Sequence, residues 1–482
     1  MTRPTCPNHG AVQRRRRRWG LPTGMVVGAV MLVVMAGMVA ASAGRGGWTP
    51  QPGKPFSQPA GIHSRNGVLT ATLTARTRTI QVAGDTVTAR VYNGSFTGPT
   101  LYVNPGDRLR ITLVNRLDEP TNLHFHGFHV TPSATGDDVF REIEPGRQFT
   151  YVFTLGADEP PGLAWYHSHM HHLTEEQVFG GMSGMIVVGH IENLRPSLKQ
   201  VPQKLFALRD IRVVDGKIPA NGMSVDTIRL VNSLYKPKLT IAPGQTQMWR
   251  FANVGADQFY RVGLSTPGGA LRFHVISEDA RPVWKVWTAT SLVLPPGKRY
   301  DVLVEGPPRG TYLLRALPYH QGVMNQTKAI PLATVLSTGT KRTPKAIPTG
   351  LIPKEDLRGE HVAKDATKIF QDKVDGFYIN DQRFNPNRVD DRAQLGTVQQ
   401  WLLVNGSPEE HPFHMHIDYF QVIEKSGQPF DANGFQDTVV IPPHGSVKIL
   451  IDFEDYVGKF VYHCHILNHE DHGMMGTIVV SS

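Results

Sequence analysis

Four His-x-His pairs that share no residue with one another mark this chain: His124 with His126, His167 with His169, His414 with His416, and His463 with His465, the last bracketing Cys464. With 21 histidines in 482 residues, chance supplies about one such pair, so four need an explanation. Side chains alternate across an extended strand, so the two histidines of a pair face the same way and can grip one metal ion or two neighbouring ones. Neutral imidazoles suit copper, zinc, iron and nickel.

The last pair sits in FVYHCHILNHEDHGMM, Phe460 to Met475, which adds a thiol and a thioether. A thiolate, two imidazoles and a long methionine bond make a blue-copper electron-transfer site. Cys464, His469 and Met474 supply three of those ligands, and His411 in HPFHMH is the expected fourth. Alternation sends Cys464 away from His463 and His465, so one strand serves two metal sites joined by α-carbon steps of about 3.8 Å. That is a short path for electrons. Zinc is the rival ion, but its sites rarely use methionine and more often use several cysteines.

Such ligands need rigid strands to hold them, and the chain supplies these in triplicate. PGDRLRITLVN (Pro105 to Asn115), PGQTQMWRFAN (Pro243 to Asn253) and LGTVQQWLLVN (Leu395 to Asn405) share a glycine and an asparagine nine residues on. A second element follows in each copy: GLAWYHSH from Gly162, GTYLLRAL from Gly310 and GKFVYHCH from Gly458. Counting nine and eleven residues from the repeat asparagines gives His124 and His126, then Val262 and Leu264, then His414 and His416. In the second element Arg315, Ala316 and Leu317 stand where the outer copies carry histidines. The outer copies carry the chemistry and the middle one does not.

Composition agrees with sandwiches. The apolar runs are short, valine-rich and broken by turn residues, with Gly 47 and Pro 36, and no long amphipathic helix stands out. Three related β domains are expected, over residues 46–190, 191–345 and 346–482.

Residues 1–45 read as an export signal or signal anchor. RRRRRWGLPTG is followed by an almost uncharged run ending in Ala41-Ser42-Ala43, which suits signal-peptidase cleavage. Left uncleaved, that run is long enough to span a bilayer. Arg16-Arg17-Arg18-Trp19 weakly resembles a twin-arginine signal. The net charge of +9 falls to +3 once the six arginines of residues 1–44 are set aside. No basic patch interleaved with aromatics is left, so nucleic-acid binding has no support. The exported part keeps only Cys464, which cannot form an internal disulfide and would be a liability in an oxidising compartment unless occupied.

HFHG, HSH, HPFHMH and HCHILNHEDHGMM, in this order, resemble the four copper motifs of the multicopper oxidases, in their three-domain, laccase-like bacterial branch. The resemblance runs from about residue 60 to the end. It implies an all-β fold of three consecutive cupredoxin-like Greek-key sandwiches and four coppers per chain: one type 1, one type 2 and two type 3. His411, Cys464, His469 and axial Met474 would hold the type 1 copper, and His124 and His414 the type 2. His126, His167 and His465 would hold one type 3 copper, and His169, His416 and His463 the other. Glu470 and Asp137 would hand over protons as dioxygen is reduced to water.

The leading expectation is therefore an exported oxidase of phenol-like or aromatic-amine reductants, secreted, periplasmic or at the cell surface. Oxidation of a metal ion, Cu(I), Fe(II) or Mn(II), is the alternative, and a copper-free scaffold protein the third. A monomer is expected, because one chain already holds every ligand. His129, His171, His172, His444 and His472 match no ligand position and are expected at the surface or behind the ligands. Met170, Met182, Met185, Met415 and Met475 are expected as core residues rather than as a path for cuprous ions. Asp437 is expected to steady the strand near the type 1 site.

Overall fold

The computed structural model describes residues 52–482 except Val225, so the export signal expected over residues 1–45 lies outside the described residues. Among these, no helix is long and apolar enough to cross a membrane.

The chain folds as three consecutive cupredoxin-like sandwiches, each of two facing sheets. In the first, the strands Asp85–Tyr92, Val68–Val82, Arg108–Asn115 and Gln148–Thr154 form one sheet. Its partner orders Gly61–His63, Thr100–Val103, Ser183–Val188, Gly162–His167 and His124–His126. Alternation drives the packing: along Val68–Val82, Leu69, Ala71, Leu73 and Ala75 point into the core while their neighbours face outward. The second and third sandwiches repeat this plan around cores centred on Trp249 and Trp401.

The repeated sequence falls on equivalent strands. Arg108–Asn115, Thr246–Asn253 and Thr397–Asn405 each lie between one parallel and one antiparallel neighbour. The recurring asparagine closes a turn. Asn115 Nδ2 donates to Glu119 O and Ile143 O, both at 2.8 Å, while its Oδ1 accepts from Leu117 N. Asn253 makes the same three bonds to Gln258 O, Leu294 O and Gly255 N, and Asn405 to Glu409 O, Ile441 O and Ser407 N. A buried amide that satisfies three backbone groups is hard to replace, which accounts for the repeat.

The ligand-bearing strands are matched antiparallel pairs. His124–His126 runs antiparallel to Gly162–His167 with His124 opposite His167, and His411–Met415 runs antiparallel to Gly458–Cys464 with His414 opposite His463. The corresponding strands of the middle sandwich set Val262 opposite Ala316, both fully buried. Strand geometry does not reach every histidine: His169, His416 and His465 stand one or two residues past their strand ends.

Candidate metal centre

Eight buried histidines from the first and third sandwiches converge on one point. His126 Nδ1 lies 3.2 Å from His465 Nε2, while His463 Nε2 lies 3.3 Å from His169 Nε2 and 3.2 Å from His416 Nε2. Each of three groups, His126 with His167 and His465, His169 with His416 and His463, and His124 with His126 and His414, has its donor atoms within 4.8 Å of one another.

The outward nitrogens of four of these rings are tied down. His124 Nδ1 meets Asp137 Oδ2 at 2.8 Å, His167 Nδ1 meets Ser168 O at 2.8 Å, His414 Nδ1 meets Asp437 O at 2.8 Å and His463 Nδ1 meets Cys464 O at 3.0 Å. An N–H donated outward leaves the other nitrogen's lone pair aimed inward. There, Nε2 of His124, His167 and His414 is buried with no protein partner. Buried polar atoms in a folded protein are normally paired, so inward lone pairs without partners fit metal ions as the missing acceptors. Burial, with the charge of neighbouring imidazoles, lowers the histidine pKa values, to about 3 for His167 and about 4 for His169. His124, His126, His414, His416 and His465 are pushed well below the usual value for the same reason. Neutral imidazole is the form that binds metal.

A second cluster lies on the other face of the Gly458–Cys464 strand. Cys464 Sγ stands 3.5 Å from His411 Nδ1 and 3.7 Å from His469 Nδ1. Met474 is fully buried in the same apolar cluster, its carbonyl accepting from Cys464 N at 3.0 Å and its N–H donating to His469 O at 2.9 Å. The short helix Leu467–Asp471 carries His469 back toward the thiol. Behind the imidazoles stand two carboxylates that sequence spacing did not reveal. Asp372 Oδ1 lies 3.3 Å from His411 Nε2, and Glu409 Oε1 lies 2.8 Å from His469 Nε2, at angles outside hydrogen-bond geometry.

Glu470 and Asp137 both stand at the larger cluster. Glu470 is fully buried, with Oε2 3.0 Å from His463 Nδ1 and Oε1 3.6 Å from His169 Nε2. Burial alone would raise its pKa, but His169 and His463 beside it hold the carboxyl well below the usual range. Asp137 touches His124 and accepts from Phe125 N at 3.0 Å, and burial pushes it up to about 7.

Asp437 is a correction. It stands not at the cysteine cluster but behind the histidine cluster, with Oδ1 3.3 Å from His126 Nε2. The reason is register: the strand Thr438–Ile441 pairs with His411–Met415 so that Thr438 faces His414 while Ile441 faces His411. Arg299 of the middle sandwich clamps Asp437 through Nη1 at 2.8 Å and Nη2 at 2.7 Å. Gly297, two residues earlier at φ 83°, passes so close that a Cβ there would lie 2.8 Å from His465 and 3.0 Å from His126. The middle sandwich supplies no ligand, yet it walls the site.

Comparison with known proteins agrees with this geometry. Three family profiles, each described as multicopper oxidase, match residues 74–192, 164–343 and 357–482. The chain is 28% identical over 404 residues to "Multicopper oxidase mco" of Staphylococcus haemolyticus, covering 81% of this chain and 83% of that one. It is 27% identical over 413 residues to "Cell division protein FtsP" of Xenorhabdus nematophila, covering 81% and 84%. A solved multicopper oxidase from Campylobacter jejuni, described as a metallo-oxidase, superimposes with a TM-score of 0.80 at 26% identity, covering 90% of this chain and 96% of that one. With its fold, its buried histidine clusters and its relatives in accord, the chain belongs to the multicopper oxidase family and is a copper-dependent oxidoreductase that uses dioxygen as acceptor.

Proposed function

We propose that this enzyme oxidises a metal-ion reductant at an acidic edge beside the cysteine cluster. One observation carries this reading: Asp372, Glu409, His411 and His469 bring their donor atoms within 4.8 Å of one another, with Glu409 Oε2 buried and unpaired. Carboxylates attract a cation and hold it one hydrogen-bond length from the imidazoles that lead to Cys464.

In this reading the sandwiches span residues 46–190, 191–345 and 346–482. His411, Cys464, His469 and Met474 hold a type 1 copper, and His124 with His414 a type 2. His126, His167 and His465, and His169, His416 and His463, hold the type 3 pair. Copper bound at these ligands supplies one-electron transfer and the four-electron reduction of dioxygen to water. The chain's own contribution is connection and protons. Cys464 joins the two clusters through its backbone neighbours His463 and His465. Asp137 accepts the outward N–H of His124, Glu470 stands 3.0 Å from His463 Nδ1, and these two carboxyl groups are the ones that hand over protons.

Phenol-like reductants are the second reading, favoured by the partly exposed Asp372, which can accept a phenol's O–H beside His411. A copper-free scaffold, the third expectation, is disfavoured by a full set of converging ligands. We place the enzyme outside the cytoplasm as a monomer, with residues 1–45 as signal or anchor.

The test compares native enzyme with Asp372→Asn and Glu409→Gln, using Fe(II), Cu(I) and a phenol as donors. The KM for the metal ion should rise about tenfold in each variant, with the blue band retained and the phenol KM little changed. Equal losses with every donor would count against a cation site.

A further inference from the structure

A cavity of about 500 Å³ lies on the seam between the first and third sandwiches and reaches His169. Its lining gathers His171, His172 and His472, which carry no role so far, with Met170 and Met475, two methionines that the sequence alone assigns to the core rather than to a path for cuprous ions. Two consecutive histidines can line one cavity because the backbone at His172 takes the left-handed conformation, φ 70°, which a side-chain-bearing residue rarely adopts without a reason. The rings of His171 and His172 lie 3.8 Å apart.

Their nitrogens are prepared as donors. His172 Nδ1 is held by Asp471 O at 3.0 Å and His472 Nδ1 by Asn468 O at 2.7 Å, so each ring keeps its Nε2 lone pair free. His171 Nδ1 is buried with no partner. The one arginine in the lining, Arg383, is engaged by Asp375 at 3.2 Å, so it does not stand there as a free cation that would repel a metal ion. Imidazole with thioether is the donor set that selects soft monovalent copper over hard divalent ions, and a d10 ion of this kind needs few ligands.

We propose that this cavity is a binding station for a cuprous ion on its way to His169, the route by which the larger cluster is loaded. The step forms and breaks dative bonds only. It rests on the reading that His169 is a copper ligand.

Silver(I), which matches the cuprous ion in charge and softness without reacting, is the probe. The copper-loaded full chain should bind one more silver ion per chain than a variant carrying both His171→Gln and His472→Gln, which should keep its copper content and blue band. After copper is stripped and Cu(I) returned, the type 3 near-ultraviolet band should recover about tenfold more slowly in that variant, with the blue band recovering at the native rate. Met170→Leu, which conserves volume, should show the same slowing if the double variant folds poorly. Equal silver binding in native and variant chains, or equal recovery of the type 3 band in the two, overturns the proposal. Fewer than four coppers in the native chain would instead count against the ligand assignment itself, so the two failures are distinguishable.

Discussion

Arg299 and Asp437 form a two-nitrogen ion pair, at 2.8 and 2.7 Å, that joins the ligand-free middle sandwich to a carboxylate 3.3 Å from His126. Both side chains are almost fully buried. Removing one partner of such a pair leaves the other charged and desolvated, a loss of about 3 to 5 kcal/mol. Arg299→Met should lower the urea midpoint accordingly and release copper from the histidine cluster before the blue site. Copper counts with electron paramagnetic resonance on the same samples read both effects, and an unchanged midpoint would show that the pair contributes little.

Cys464 is the only thiol in the described residues, and it joins the cysteine cluster to the histidine cluster through its chain neighbours His463 and His465. Replacing sulfur by oxygen in Cys464→Ser should abolish the blue absorption and steady-state oxygen uptake, and lower copper by one per chain. The type 3 band should persist, since His463 and His465 keep their places on the strand. Oxygen uptake at the native rate would refute the path.

The histidine clusters were legible from sequence because strand alternation is a strict rule: a pair spaced by two faces one way, and Cys464 between His463 and His465 must face the other. The repeat asparagines were legible for a similar reason, since one fixed turn demands the same amide three times. Asp372, Glu409 and Arg299 obey no such spacing. They reach the clusters from distant strands and from a sandwich without ligands, so only the folded register shows them. Asp437 was misplaced because its segment lies along the strand that carries both His411 and His414, and only the pairing register shows which of the two it stands beside. His171, His172 and His472 looked unremarkable because what unites them is a cavity, not a period.

Asn253 separates fold from metal chemistry, because it makes the repeated turn in the one sandwich without ligands. Asn253→Ala leaves Gln258 O, Leu294 O and Gly255 N without their partner, a cost of about 3 kcal/mol. The variant should unfold at lower urea yet carry native copper content and a native blue band at low denaturant. Loss of copper without loss of stability would mean that the turn acts mainly on the site.

Glu159 gives the fold a pH dependence of its own. It is 6% exposed, and burial pushes its carboxyl up to about 7, with Arg281 and the His129 backbone N–H pulling the other way. An unfolded glutamate ionises near about 4.3, so between the two values the folded chain keeps a proton that the unfolded chain has released. The stability linked to this group is therefore complete below about 4.3 and lost as pH rises through about 7. Glu159→Gln mimics the protonated form. At pH about 8 the copper-loaded variant should exceed the native chain in stability by on the order of 3 kcal/mol, and the gap should close as pH falls toward about 4. Urea titrations across that range measure it directly. A gap that does not change with pH would mean that Glu159 is ionised in the fold, held by Arg281.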